Sequence, residues 1–170
     1  MRYLLVIDMQ NDFIDGALGT AEAVAIVPLV AQKIAQRRAE GFHVIFTRDT
    51  HAENYLSTQE GRKLPVVHCL RGTHGWQITN KLPVASGDQI VDKVTFGAFA
   101  LPQYLHEPEE IELVGLCTDI CVISNAMLLK AAFPETELSV DAACCAGVSP
   151  ESHRNALNAM KMCQISIENE

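Results

Sequence analysis

The sequence contains no Cys-x-x-Cys pair, no apolar run approaching the roughly 18 residues of a membrane span, and no excess of basic charge. Each absence removes a class of protein. Without that cysteine spacing there is no zinc-knuckle pattern, so Cys69, Cys117, Cys121, Cys144, Cys145 and Cys163 read as reduced thiols. The apolar run that follows Met1-Arg2 is too short for a signal peptide and lacks a small-residue cleavage site, so the expectation is a cytoplasmic protein off the membrane. A net charge of -8 argues against nucleic acid and acidic lipid surfaces as partners. Repeats and low-complexity tracts are also missing. What is present is a chain of 170 residues, 48% apolar and 20% charged, which suits one globular domain over 1–170 with a substantial core.

Strand and helix patterns alternate along the chain. Tyr3 to Ile7 is a continuous apolar run, as expected of a parallel strand covered on both faces, and it ends at Asp8. Met9 to Thr20 reads as loop. Glu22 to Glu40 is a helix with Val27, Val30 and Ile34 inward and Gln32, Lys33, Gln36, Arg37 and Arg38 outward, closed by Gly41. His43 to Thr47 is a second strand, Ile90 to Asp92 a third and Ile111 to Gly115 a fourth. Between the second and third lies the long irregular stretch Thr50 to Gln89, a length that is usually functional. Pro102 to His106 reads as one helical turn, Val122 to Ala132 as a helix, and Glu137 to Val140 as a strand ending at Asp141. Ser149-Pro150 is an N-cap followed by a first-turn proline, so a helix runs to about Met160, before an edge strand at Gln164 to Ile167. The sum is an α/β fold: a three-layer α/β/α sandwich with a mostly parallel central sheet.

Four strand ends carry reactive side chains: Asp8, Asp49, Lys93 and, past the Gly115 turn, Cys121. In an open parallel sheet, such ends share one crevice. Cys121 falls where a strand hands over to a helix, and the unpaired N–H groups of that first turn favour a thiolate. A cysteine taken alone is more often a small buried hydrophobe; the company of a carboxylate and an ammonium changes the reading. Asp8 can take the thiol proton, and Lys93 can hold that carboxylate ionised. Asp49, His51 and the later His68 form a carboxylate and imidazole set that suits zinc, iron or manganese.

The segments Asp8-Met9-Gln10-Asn11-Asp12-Phe13, Thr47-Arg48-Asp49-x-His51, His68-Cys69, Gly97-Ala98-Phe99 and Gly115-x-x-Thr118-Asp119-x-Cys121-Val122 together resemble the isochorismatase-like cysteine hydrolases. Within them the nearest likeness is to the nicotinamidase and pyrazinamidase branch, and it spans nearly the whole chain in order. The resemblance implies hydrolysis of a small amide, nicotinamide to nicotinate and ammonia, a step of NAD salvage. It implies Cys121 as nucleophile, Asp8 as base, Lys93 as their cation, and an oxyanion hole of the Cys117 and Cys121 N–H groups behind a cis Leu116–Cys117 bond. Gln10, Phe13 and Phe99 would contact the ring. A divalent metal, zinc first, would be held by Asp49, His51 and His68. Asp119 is expected to cap a helix, and a homo-oligomer, dimer or tetramer, is expected.

Two departures stand out. Ser57 occupies the place of a third metal histidine found in some members; others use a glutamate further on, near which Glu60 lies. Pro65 replaces a tryptophan, which widens the expected ring pocket. One alternative stays in the family, an amidase for another substrate or a metal-free isochorismatase-like hydrolase. Isochorismatases do not use this cysteine, so Cys121 counts against the latter. The alternative from another class, a redox sensor pairing Cys117 with Cys121, leaves Asp8, Lys93 and the Asp49 set unexplained. Cys144 and Cys145 read as buried structural thiols.

Overall fold

The computed structural model describes residues 1–170. Its strands are β1 (Arg2–Ile7), β2 (His43–Asp49), β3 (Gln89–Lys93), β4 (Glu110–Leu116), β5 (Glu137–Ala146) and β6 (Ser166–Glu168). Its helices are α1 (Asn11–Ile14), α2 (Ala21–Ala39), α3 (Gln59–Lys63), α4 (Ile123–Ala132) and α5 (Pro150–Met162). The strands form one sheet in the order β3-β2-β1-β4-β5-β6, and every neighbouring pair is parallel. The strand order reverses at β1, so the crevice of this topology opens beyond the carboxyl ends of β1 and β4.

The run Leu4 to Ile7 is fully buried because each face of β1 has a helix layer. Leu4 and Val6 pack with Ile26, Val30 and Ile34 of α2; Leu5 and Ile7 pack with Ala126 and Leu129 of α4 and Leu157 of α5. Each such side chain contributes about 1.5–3 kcal/mol of burial. The helix ends follow local chemistry. Thr20 Oγ1 accepts the Ala23 N–H at 3.0 Å to start α2. At its end Gly41, with φ 86, lets the Gly41 and Phe42 N–H groups reach the carbonyls of Arg38 and Arg37. Ser149 caps α5 in a reciprocal arrangement with Ser152. No helix is long and apolar enough to cross a membrane.

Several expectations are corrected. The segment after Asp8 is not all loop, since Asn11–Ile14 forms α1. The long stretch carries a 3₁₀ turn at Tyr55–Ser57 and then α3. The turn expected at Pro102 is the 3₁₀ segment Leu101–Tyr104. β5 does not stop before Asp141 but continues to Ala146, because past a register shift Cys145 and Ala146 pair with Gly115 and Leu116. Lys33 and Arg37 do not simply face water. Lys33 Nζ lies 3.0 Å from Glu112 and 2.6 Å from Asp141, and Arg37 Nε lies 2.5 Å from Glu112. Burial pulls the Lys33 pKa down, but hydrogen bonds to Asp141 and Glu112 outweigh it and raise the net value. Two charges inside β4 and β5 are thus neutralised by the helix above.

Glu112→Gln is expected to lower stability by about 3 kcal/mol, the low end for a broken buried ion pair because both cations retain some water contact. An unchanged urea midpoint would show that the cluster contributes nothing.

Candidate active site

Asp8 leaves β1 in the left-handed region, with φ 47, which drives a fully buried carboxylate into the crevice. Gly115 makes room: its φ is 117, and a Cβ there would lie 2.1 Å from the Ile7 carbonyl oxygen. Asp8 Oδ1 accepts from Thr47 Oγ1 at 2.7 Å. Its Oδ2 lies 2.7 Å from Lys93 Nζ, an ionic contact off the hydrogen-bond direction, so Oδ2 has no directional partner. Lys93 Nζ also donates to Asp49 Oδ1 at 3.2 Å, the Thr95 carbonyl at 3.1 Å and Cys121 Sγ at 3.4 Å. One ammonium therefore touches the thiol and both carboxylates.

Cys121 belongs to a widened turn of π-helix at Thr118–Val122 that precedes α4, so the helical rise begins earlier than the pattern suggested. The Cys117 carbonyl accepts from Ile120 at 3.1 Å and Val122 at 3.0 Å, bypassing the Cys121 N–H. The Leu116–Cys117 bond is cis. Asp119 makes no cap; it instead accepts the Val148 N–H at 3.1 Å and so ties the turn to the loop after β5. Thr118, fully buried, shares a 2.8 Å hydrogen bond with His153 Nδ1 of α5. Sequence reasoning missed Thr47, Thr118 and His153 as supports of the site. Thr47 and Asp49 stand two apart at the end of one strand, a spacing that puts both on one face.

Burial raises the Asp8 pKa, with the Lys93 charge opposing and that of Asp49 assisting. Burial, the Asp8 charge and a hydrogen bond to Asp8 push the Cys121 thiol well above its ordinary range, against the pull of Lys93. Lys93 resists its own desolvation because Asp8, Cys121 and Asp49 surround it, and its pKa rises. Cys117 is pushed up to about 12, mainly by burial. These shifts favour a protonated Cys121 thiol and a charged Lys93 at neutral pH.

A second cluster adjoins the first. Ligand atoms of Asp49, His51, Glu60 and His68 all lie within 4.8 Å of one another. His51 Nε2 is 2.9 Å from Asp49 Oδ2 and 3.6 Å from Glu60 Oε1, yet it is buried without a hydrogen-bond partner. His68 Nδ1 binds the Val66 carbonyl at 2.8 Å, which turns Nε2 toward Asp49 and Glu60. Burial opposes the Asp49 charge, but the contacts from His51 and His68 and the charge of Lys93 hold its pKa well below the usual carboxylate range. Two imidazoles and two carboxylates, with an orphaned ring nitrogen between them, fit a divalent metal.

The two clusters open on a cavity of about 190 Å³. Cys117, Cys121, Asp49, Glu60 and His68 line it, and its apolar walls include Phe13, Leu64, Phe96 and Ile120. Phe99 does not: it is 84% exposed, and Phe96, three residues earlier, takes the wall. Gln10 does not reach the cavity either, since its amide is engaged with the backbone of Asp49 and Trp76. All six cysteines are unpaired; Cys69, Cys144 and Cys145 pack in the cores and Cys163 is exposed.

The fold is an all-parallel α/β sheet with helix layers, and buried Asp8, Lys93 and Cys121 meet beyond the carboxyl ends of its strands. Residues 2–169 match the Isochorismatase domain, and the chain belongs to that family. Among its relatives, the nicotinamidase/pyrazinamidase of Mycobacterium tuberculosis is 26% identical over 98% of each chain. An uncharacterized isochorismatase family protein of Bacillus subtilis is 33% identical over 74% of this chain and 76% of its own. The pyrazinamidase of Pyrococcus horikoshii, solved in complex with zinc, superposes with a TM-score of 0.87 at 28% identity, over 99% of each chain.

With its pKa raised, Cys121 should alkylate slowly at neutral pH and faster as pH climbs through the alkaline range, while exposed Cys163 labels at once. Peptide mass spectrometry after iodoacetamide treatment reads this. Cys121 labelling that is rapid and flat with pH would contradict the neutral resting thiol.

Proposed function

We propose that this protein is a metal-dependent amidohydrolase of the nicotinamidase kind, acting through a Cys121 thioester. The observation that carries the reading is one cavity lined both by Cys117 and Cys121 and by Asp49, Glu60 and His68. Its lining includes no Lys or Arg, and its charged groups are acidic or imidazole. The mostly apolar walls around these groups suit a small aromatic amide. The relatives named above support the same substrate class.

As a substrate carbonyl arrives, Asp8 Oδ2 takes the Cys121 proton and the thiolate attacks the amide carbon. The N–H groups of Cys117 and Cys121 receive the oxyanion, fixed in place by the turn rather than recruited during the reaction. Asp8 returns its proton to the leaving nitrogen, and ammonia departs. Water then gives a proton to Asp8, attacks the thioester, and releases the acid; the proton goes back to Cys121. Throughout, Lys93 remains charged and offsets whichever of Asp8 and Cys121 is anionic. A divalent cation held by Asp49, His51, His68 and Glu60, zinc before iron or manganese, would supply a Lewis-acidic anchor for a ring nitrogen. Phe13, Leu64 and Phe96 flank the ring and exclude water.

The proposal includes one domain over the whole chain, a cytoplasmic site consistent with six free thiols, and a homo-oligomer, dimer or tetramer, readable by light scattering.

The test is ammonia release from nicotinamide by the purified protein, before and after chelation. Release should vanish on chelation and return with zinc. Cys121→Ala should lose at least about 10⁴-fold, and Asp8→Asn about 10²–10⁴-fold. No release at any metal loading sinks the reading, and full activity in the Cys121→Ala variant removes the nucleophile.

A further inference from the structure

Gln10 and Asp12 sit behind the metal-ligand cluster, and each bonds to backbone that carries one of its ligands. Gln10 is fully buried, and both ends of its amide are used. Its Oε1 accepts the Asp49 N–H at 2.7 Å, and its Nε2 donates to the carbonyls of Asp49 and Trp76, both at 2.8 Å. The side chain thus serves Asp49 as a neighbouring strand would, beyond the point where β1 has ended. Asp12 Oδ2 accepts the Cys69 N–H, the peptide directly after His68, at 2.7 Å. Gly75 permits that approach, since a Cβ there would lie 2.1 Å from Asp12 Oδ2. Main-chain bonds reinforce the arrangement. Asp12 N–H donates to Gly75 at 3.0 Å, and the His51 N–H donates to Cys69 at 2.9 Å.

We propose that Gln10 and Asp12 are positioning residues for the divalent cation, presetting Asp49 and His68 before any metal binds. Neither supplies a ligand atom to the cluster; each acts through a peptide group. The inference rests on the metal reading of the cluster and is independent of the amide substrate. Four ligands come from separate segments: the end of β2, the residues just after it, α3 and the loop beyond. A site assembled that way binds tightly only when its backbone is already ordered, because otherwise binding must supply the ordering. Loss of such outer supports weakens metal binding by about 10–100-fold.

The experiment uses the full chain, stripped of metal and titrated with Co(II) while its visible absorption is followed, with Zn(II) affinity measured against a competing chelator. Gln10→Ala and Asp12→Ala should each bind zinc about 10–100-fold more weakly and shift the cobalt spectrum. Asp12→Asn, which keeps an acceptor oxygen for the Cys69 N–H, should restore near wild-type affinity and spectrum. Circular dichroism of the metal-free proteins separates misfolding from weak binding. If Gln10→Ala fails to fold, the Asp12→Ala and Asp12→Asn pair decides. Wild-type affinity and spectrum in the folded alanine variants would overturn the proposal, as would equal losses in Asp12→Ala and Asp12→Asn. Absence of cobalt binding by the unsubstituted chain would overturn it together with the metal reading. Intact cobalt binding without ammonia release would remove only the amidase.

Discussion

A single ammonium holds the site together. Lys93 is almost fully buried, and around its Nζ lie Asp8 at 2.7 Å, Asp49 at 3.2 Å and Cys121 at 3.4 Å. Two buried carboxylates against one cation leave an excess of negative charge, which a low-dielectric interior tolerates poorly. The structure distributes that excess. Burial raises the Asp8 pKa, the imidazole neighbours and Lys93 lower that of Asp49, and burial beside Asp8 raises that of the thiol. Asp49 is the hinge of this distribution, because one of its oxygens faces Lys93 and the other faces His51. The same carboxylate therefore belongs to the proton-handling group and to the metal-ligand group, and neither can be described without the other.

The sheet explains how these residues meet. Asp8, Asp49 and Lys93 stand at the carboxyl ends of β1, β2 and β3, and the Cys117–Cys121 turn follows β4. Those four strands are consecutive in the order β3-β2-β1-β4, so their ends are neighbours without any help from the loops. Loops do the opposite work. The long segment between β2 and β3 brings Glu60 and His68 back over the sheet edge, and it is held there by Gln10 and Asp12.

Much of this was legible in the sequence, for reasons that can be named. Strands β1 and β4, buried on both faces, write continuous apolar runs, so their carboxyl ends are visible, and with them Asp8 and the region of Cys121; Lys93 follows the short, half-exposed β3 and is legible only in the company of the others. Glu60 could be placed only through family resemblance, and the structure brings it to the cluster. What could not be read was orientation. Phe99 and Phe96 are equivalent in composition and differ only in which way a loop turns. The family resemblance makes Gln10 a ring contact, yet its amide is consumed by backbone. Lys33 and Arg37 fit an outward helical stripe, but long side chains can turn back over the sheet, and Glu112 and Asp141 draw them there. Asp119 has the composition of a cap, while in the π turn its carboxylate accepts the Val148 N–H instead.

The cavity wall opposite the charges is built from other parts of the chain: Leu18, Ala23, Gly147 and Val148, from the segment entering α2 and the loop after β5. Val148 is more than half exposed. Heritable change can therefore reach Leu18 and Ala23 separately from the reactive turn, whereas Val148 is tied to that turn through Asp119 and a Cβ on Gly147 would lie 2.9 Å from His153. Substitutions at Leu18 and Ala23 can redraw which ring is admitted while the proton-handling group stays untouched, so one scaffold can diversify its diet without reinventing its reaction.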